Sequence, residues 1–203
     1  MLSRGWEWLT IAVGAVAVAV SSVVSADQGR SPRLDEVILQ LAGQGGISLM
    51  FLGDLGRHEV PDDLPRAAKP DEARTLLRDL LQEHGLRLID GPAHTMVVVP
   101  VGRGAPAPSL FPARALAISR CGEHGGREFH LRFRNINLED FIVTVRSLVN
   151  LPLNAAFGSG PTLTLAGNRA YAPTEVCQLL GAALSFAELL VVEHGDVFEV
   201  VRQ

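Results

Sequence analysis

The side chains able to do chemistry are few and scattered. The six histidines, His58, His84, His94, His124, His130 and His194, include no H-E-x-x-H arrangement and no pair at metal-ligand spacing. His84, His94 and His194 fall at expected helix ends or turns, where capping or solvation accounts for an imidazole. Two carboxylate pairs occur, Asp62-Asp63 and Glu139-Asp140. The second suits the positive end of a helix, and neither has a second catalytic partner. Gly43-Gln44-Gly45-Gly46 fits the G-x-x-G of an RNA-binding KH loop, but no basic residues surround it. The same glycines serve to end a helix and enter a strand. The expectation is a protein that is not an enzyme and uses no cofactor, no metal and no small-molecule substrate.

Cys121 and Cys177 are the two cysteines. Two readings stand for them. They pair in a disulfide after export, or Cys177, beside Val176 and Leu180 on an apolar helical face, is an inert core thiol.

Export is expected from the first 26 residues. Arg4 precedes an uncharged apolar run, Leu9 to Val20, and the small residues Ser21 to Ala26 follow. Val24-Ser25-Ala26 is an A-x-A-like cleavage site, so residues 1–26 read as a signal peptide and the mature chain as starting at Asp27. The competing reading is a retained membrane anchor over the uncharged stretch Trp8 to Ala26. No cysteine follows the cleavage site, which argues against a lipidated start. Removing Arg4 and Glu7 together leaves the net charge at −4. An acidic chain lacks the basic face that nucleic acid or an anionic membrane surface selects. Lys69 is the single lysine of the mature chain, the other basic residues being arginine.

The elements are set by a duplication. Leu34, Val37, Ile38 and Leu41 return as Leu138, Phe141, Ile142 and Val145; Leu76, Leu77, Leu81, Leu86 and Leu88 return as Leu179, Leu180, Leu184, Leu189 and Val191. The offsets of the two matches differ by one residue, which marks two copies of one small fold with apolar spacing retained. In the first copy, residues 27–100, Ser31 is placed to cap a helix with Pro32 at its first position, and Gly43 to Gly46 to stop it. Ile47, Leu49 and Phe51 read as a strand in which Met50 breaks the alternation. Gly53 to Lys69 is polar, with any strand over residues 58–64 short and at an edge. Pro70 opens a second helix carrying Ala73, Leu76, Leu77, Leu80 and Leu81, Gly85 ends it, and Leu86 to Val99 form a hairpin. This copy lacks an obvious opening strand.

Residues 101–126, rich in Pro and Gly, read as a linker that lets the copies move relative to each other unless its apolar patches, Leu110-Phe111 and Ala115 to Ile118, dock. In the second copy, residues 127–203, Phe129, Leu131 and Phe133 alternate with His130, Arg132 and Arg134, giving a half-buried strand. Asn137 caps a helix, Leu151 to Ala155 and Thr162 to Leu165 are short strands, Pro173 opens a second helix, and Glu188 to Val201 form a closing hairpin. The expected class is α+β: two small βαββαββ-type modules, each with two helices packed on a small mixed sheet, after a signal peptide.

The run Phe129-His130-Leu131-Arg132-Phe133-Arg134-Asn135-Ile136-Asn137-Leu138 resembles the opening of the N-terminal periplasmic domains of outer-membrane secretins, notably those of type II secretion. Ser159 to Leu165, Pro173 to Leu184 and Phe198 to Val201 occupy the places of the elements that follow in those domains. The first copy, from Leu34 to Val99, is similar to the short N-terminal (STN) domain shared by secretins and TonB-dependent receptors. No barrel or multimerising region follows here, so the resemblance implies a stand-alone module. It also implies a non-catalytic periplasmic protein-binding component of a secretion or envelope assembly, whose partners are envelope proteins such as an inner-membrane component or a secretin. The alternative it implies is a signalling module that relays receptor state to a transmembrane regulator. The candidate docking surface is the outward face of the strand bearing His130, Arg132 and Arg134. The competing reading of that face is plain solvation of a half-buried strand.

Overall fold

Helical spacing of Leu34, Ile38 and Leu41 yields α1 (Leu34–Gln44), which buries those residues and ends where Gly46 takes φ +66°, a left-handed conformation that glycine adopts without steric cost. The computed structural model describes residues 32–55, 60, 69–101, 121, 127–155, 160–194 and 197–202. The expected signal peptide, most of the linker, His58, His124 and Asp62-Asp63 lie outside the described residues. The remaining elements are β1 (Ser48–Leu52), α2 (Pro70–Glu83), β2 (Leu86–Asp90), β3 (Thr95–Pro100), β4 (Phe129–Asn137), α3 (Leu138–Leu148), β5 (Leu153–Asn154), β6 (Thr162–Tyr171), α4 (Pro173–Phe186), β7 (Leu189–His194) and β8 (Val197–Arg202). The fold is α+β, with one sheet ordered β2-β3-β1-β6-β4 and another ordered β5-β8-β7.

The duplication is visible in the strand pairing. In the first copy β1 is parallel to β3, and β3 is antiparallel to β2; in the second, β5 is parallel to β8, and β8 is antiparallel to β7. Each three-strand unit has its two helices in matching places along the chain. What differs is the opening strand pair. The second copy has β4 and β6, whereas in the first the equivalent reduces to an isolated bridge at Arg33 and a hydrogen bond from the Val60 N–H to the Pro32 carbonyl. Helix α1 therefore begins two residues later than Pro32: Arg33 is its N-cap, in extended conformation, and Pro32 lies before the first turn rather than at its first position, while Ser31 lies outside the described residues. The Pro32 carbonyl is used in strand-like pairing instead.

The five-stranded sheet divides two cores. Leu49, Phe51 and Val98 face a core filled by α1 and α2 through Leu34, Ile38, Leu77 and Leu81. Met50, Val97 and Val99 face the opposite core, with α3 and α4, β4 and β6, and Leu153, Leu189, Phe198 and Val200 of the smaller sheet. This accounts for Met50: a strand buried on both faces reads as continuous apolar sequence rather than as alternation. Each fully buried Leu, Met or Phe contributes ~1.5–3 kcal/mol of hydrophobic stabilisation.

The central contact joins the copies. β1 of the first pairs antiparallel with β6 of the second, from Leu49 opposite Ala166 to Leu52 opposite Leu163. The Ser48 hydroxyl donates to Asn168 Oδ1 at 2.5 Å and accepts the Asn168 N–H at 3.3 Å. Residues 31–203 form one compact unit, in which the copies share a sheet and a core rather than standing as separate bodies. β6 also extends to Tyr171, well past the expected end at Leu165. Its polar middle, Gly167-Asn168-Arg169, lies within the register slip opposite His130 to Arg132 and past the end of the β1 pairing, and is tied to the first copy through the Ser48–Asn168 bonds.

Candidate protein-docking surface

β4 is the last strand of its sheet, with β6 on one side and no strand on the other among the described residues. Its inner face is fixed by Leu131, 3 % exposed, and by Phe133, whose ring meets Phe141 edge-on with centroids 5.2 Å apart. Alternation then turns His130, Arg132 and Arg134 to the other face. His130 and Arg132 are exposed. Arg134 is not a free member of this set, because its guanidinium reaches α1 and donates to Glu36 at 2.9 Å and to Asp35 at 3.3 Å. The hydrogen bond to Glu36, helped by Asp35, raises its pKa above the usual arginine value. Sequence spacing placed the three residues on one strand but carried no sign of α1, which lies a whole copy earlier in the chain.

The edge is irregular. The register slips between His130 and Arg132 and again between Phe133 and Ile136, where Asn135 adopts φ +48° and its N–H bonds the Thr164 hydroxyl. Such irregularities twist an edge and restrict which strand can add to it. At the end of β4 the Asn137 side chain accepts the Glu139 N–H at 2.9 Å, as the capping pattern predicted, with Glu139 and Asp140 in the first turn of α3.

The two cysteines are joined: Cys121 and Cys177 form a disulfide with Cα atoms 6.1 Å apart, so the end of the linker is tied to α4. Cys177 is also 4 % exposed on the apolar face of that helix, so the reading of it as a free core thiol is corrected: the position is buried as expected, but the sulfur is bonded to Cys121.

A second polar cluster had no signature in the sequence. Arg169 of β6 makes two bonds to the Glu175 carboxylate, donates to the Ala93 carbonyl at 2.7 Å, and lies 4.6 Å over the Tyr171 ring. Glu175 also accepts the Ala172 N–H that opens α4. Its carboxyl is held below the ordinary value, first by the Arg169 hydrogen bond and against the opposing effect of burial. Ala93 and His94 sit at φ +54° and +55°, a conformation uncommon for residues other than glycine. Beside them a cleft of ≈580 Å³ is lined by Asp90, His94, Thr95, Met96, Glu175 and Gln178, among others. The Thr95 hydroxyl and the Tyr171 hydroxyl are buried without a hydrogen-bond partner. The parts come from both copies, so a carboxylate, a guanidinium and a strained turn that look unrelated in sequence meet only across the shared core. Among the described residues no group of three His, Cys, Asp or Glu side chains is arranged to hold a metal ion. No described helix is long and apolar enough to cross a membrane.

No protein-family model, curated protein or solved structure matches this chain.

Proposed function

We propose that the chain is a non-catalytic, exported protein-binding component of a secretin-type, type II-like secretion or envelope assembly, working in the periplasm. The observation that carries this reading is β4: a nine-residue edge strand with one side paired to β6 and with His130 and Arg132 exposed along it. Unpaired backbone groups on such an edge accept a partner strand, and the flanking side chains select it. Arg132 favours a partner segment carrying carboxylates, and the two register slips exclude strands that cannot follow them. The complete βαββαββ order of the second copy supports the secretin-type reading over the receptor-signalling one, because the resemblance is fullest there.

The test is a crosslinked pulldown from envelope fractions with the full chain and with Arg132→Glu. Recovery of a secretion-system inner-membrane component or a secretin, lost in the variant, is the expected result. Recovery of a transmembrane regulator instead moves the protein to signalling, and recovery of neither class overturns both readings.

A further inference from the structure

The cleft at the seam of the two copies shares no lining residue with the β4 edge. The turn between β2 and β3 brings Asp90 and His94 to it, and the first turns of α4 bring Glu175 and Gln178. Thr95 lines it as well. Alternation along β3 puts the Thr95 side chain on the same face as Val97 and Val99, which is the face that α4 covers, so its hydroxyl is directed to the cleft's side of the sheet. Thr95 is 1 % exposed, and that hydroxyl has no hydrogen-bond partner. An orphaned hydroxyl in such a place calls for a partner, since valine has the same shape and no polar group to desolvate.

The chemistry of the lining is one-sided. Asp90 and Glu175 bring carboxylates, Gln178 an amide, Thr95 a hydroxyl and His94 an imidazole, and each of these can accept a hydrogen bond. Among the described residues no lysine or arginine lines the cleft. Glu175 spends its charge on Arg169, whereas Asp90 enters no ion pair among the described residues. One unneutralised carboxylate among several acceptors is answered by a cation rich in N–H donors. No group of three potential metal ligands is present among the described residues, so an organic cation suits the lining better than a metal ion. The volume of ≈580 Å³ falls among those of small-ligand sites, about 300–1,000 Å³.

We propose that this cleft binds an organic cation carrying an ammonium or guanidinium group. Asp90 supplies the opposing charge, Gln178 accepts from the N–H groups, and the Thr95 hydroxyl gains the partner it lacks. Glu175 stays with Arg169, which also holds the Ala93 carbonyl at 2.7 Å and so fixes the left-handed turn at the rim. The same chemistry occurs on free amines and on a lysine or arginine side chain of a bound protein, and the test separates these sources. The site does not rest on the β4 edge.

Amide NMR titrations of the purified full chain at neutral pH test this, with agmatine, with a blocked tripeptide bearing a central arginine, and with the uncharged citrulline form of that tripeptide. Saturable shifts confined to residues 90–96 and 173–178 are expected with the two cations and not with citrulline. Tighter binding of the arginine peptide assigns the site to a basic side chain of a protein partner, and tighter binding of agmatine assigns it to a free amine; either supports the proposal. Asp90→Asn weakens binding by roughly tenfold, and Thr95→Val by roughly threefold. Thr95→Val leaves Tm unchanged or raised, because its hydroxyl has no partner to lose, so a lost site is distinguished from a lost fold. Arg132→Glu on β4 leaves the affinity unchanged. Absence of saturable shifts overturns the proposal, as does an equal response to the citrulline peptide or an affinity indifferent to both Asp90→Asn and Thr95→Val.

Discussion

The guanidinium of Arg134 stands 3.3 Å from the carboxylate of Asp35, a residue 99 positions earlier in the chain and only 2 % exposed. Asp35 is also met by Arg33 at 3.2 Å, and Arg134 holds Glu36 as well. A carboxylate this buried at the start of a helix is tolerable because two arginines and the helix N-terminus share its charge. The second copy thus grips the first by its opening helix. A strand face that looks like a docking site in sequence is partly spent on holding the molecule together.

Arg134→Ala is expected to lower stability by about 1–2 kcal/mol, less than for a fully buried pair because its side chain is half exposed and Arg33 stays in place. In a chain of this size that is a drop of roughly 2–8 °C in Tm. Thermal unfolding of Arg134→Ala, Asp35→Asn and the double variant checks it. Additive losses would mean that the two groups are not coupled.

Glu175 gives the protein an acid-sensitive joint. Its folded pKa lies below the ordinary carboxylate value of 4.5, chiefly through Arg169, so the unfolded chain takes up this proton first as pH falls. Its stabilisation is complete above that value and is lost as pH drops through the depressed folded pKa. Denaturant titrations at a series of acidic pH values should show stability falling more steeply in the wild type than in Glu175→Gln. Parallel curves would remove Glu175 from the account.

The disulfide closes a loop with a sequence separation of 56. Cross-links over loops of this order restrict the unfolded chain by about 2–5 kcal/mol. Cys121→Ser is expected to lower the denaturation midpoint correspondingly, and reduction of the wild type should reproduce the loss. Thiol labelling of unfolded, unreduced protein should modify neither cysteine, and stoichiometric labelling would rule out the bridge.

Gly167 lies where β6 bulges against β4. A Cβ there would fall 2.6 Å from the Leu131 carbonyl oxygen and 2.7 Å from the ring of fully buried Tyr171. Neither the strand backbone nor the packed ring can move aside freely, so Gly167→Ala should cost about 1–3 kcal/mol. Unchanged unfolding of that variant would show that the bulge is softer than its contacts imply.

Leu34 to Leu41, Ala73 to Leu81, Leu138 to Val145 and Val176 to Leu184 announce four helices because apolar periodicity is local. The hairpins, the Asn137 cap and the α+β class follow from equally short-range patterns, and the duplication follows from comparing them. The sequence also marked β4 as half-buried and left Cys121 and Cys177 with two readings. Tertiary structure decided what lies between the copies: Met50 serves a second core, β1 takes β6 as its neighbour, Arg134 turns to Asp35, and Arg169 meets Glu175 under the strained Ala93 turn. Each of those relations, apart from the pair Arg169 and Glu175, joins residues roughly a hundred positions apart through geometry that no local spacing encodes. A strand's alternation fixes which side chains share a face, but only the completed sheet decides what that face meets.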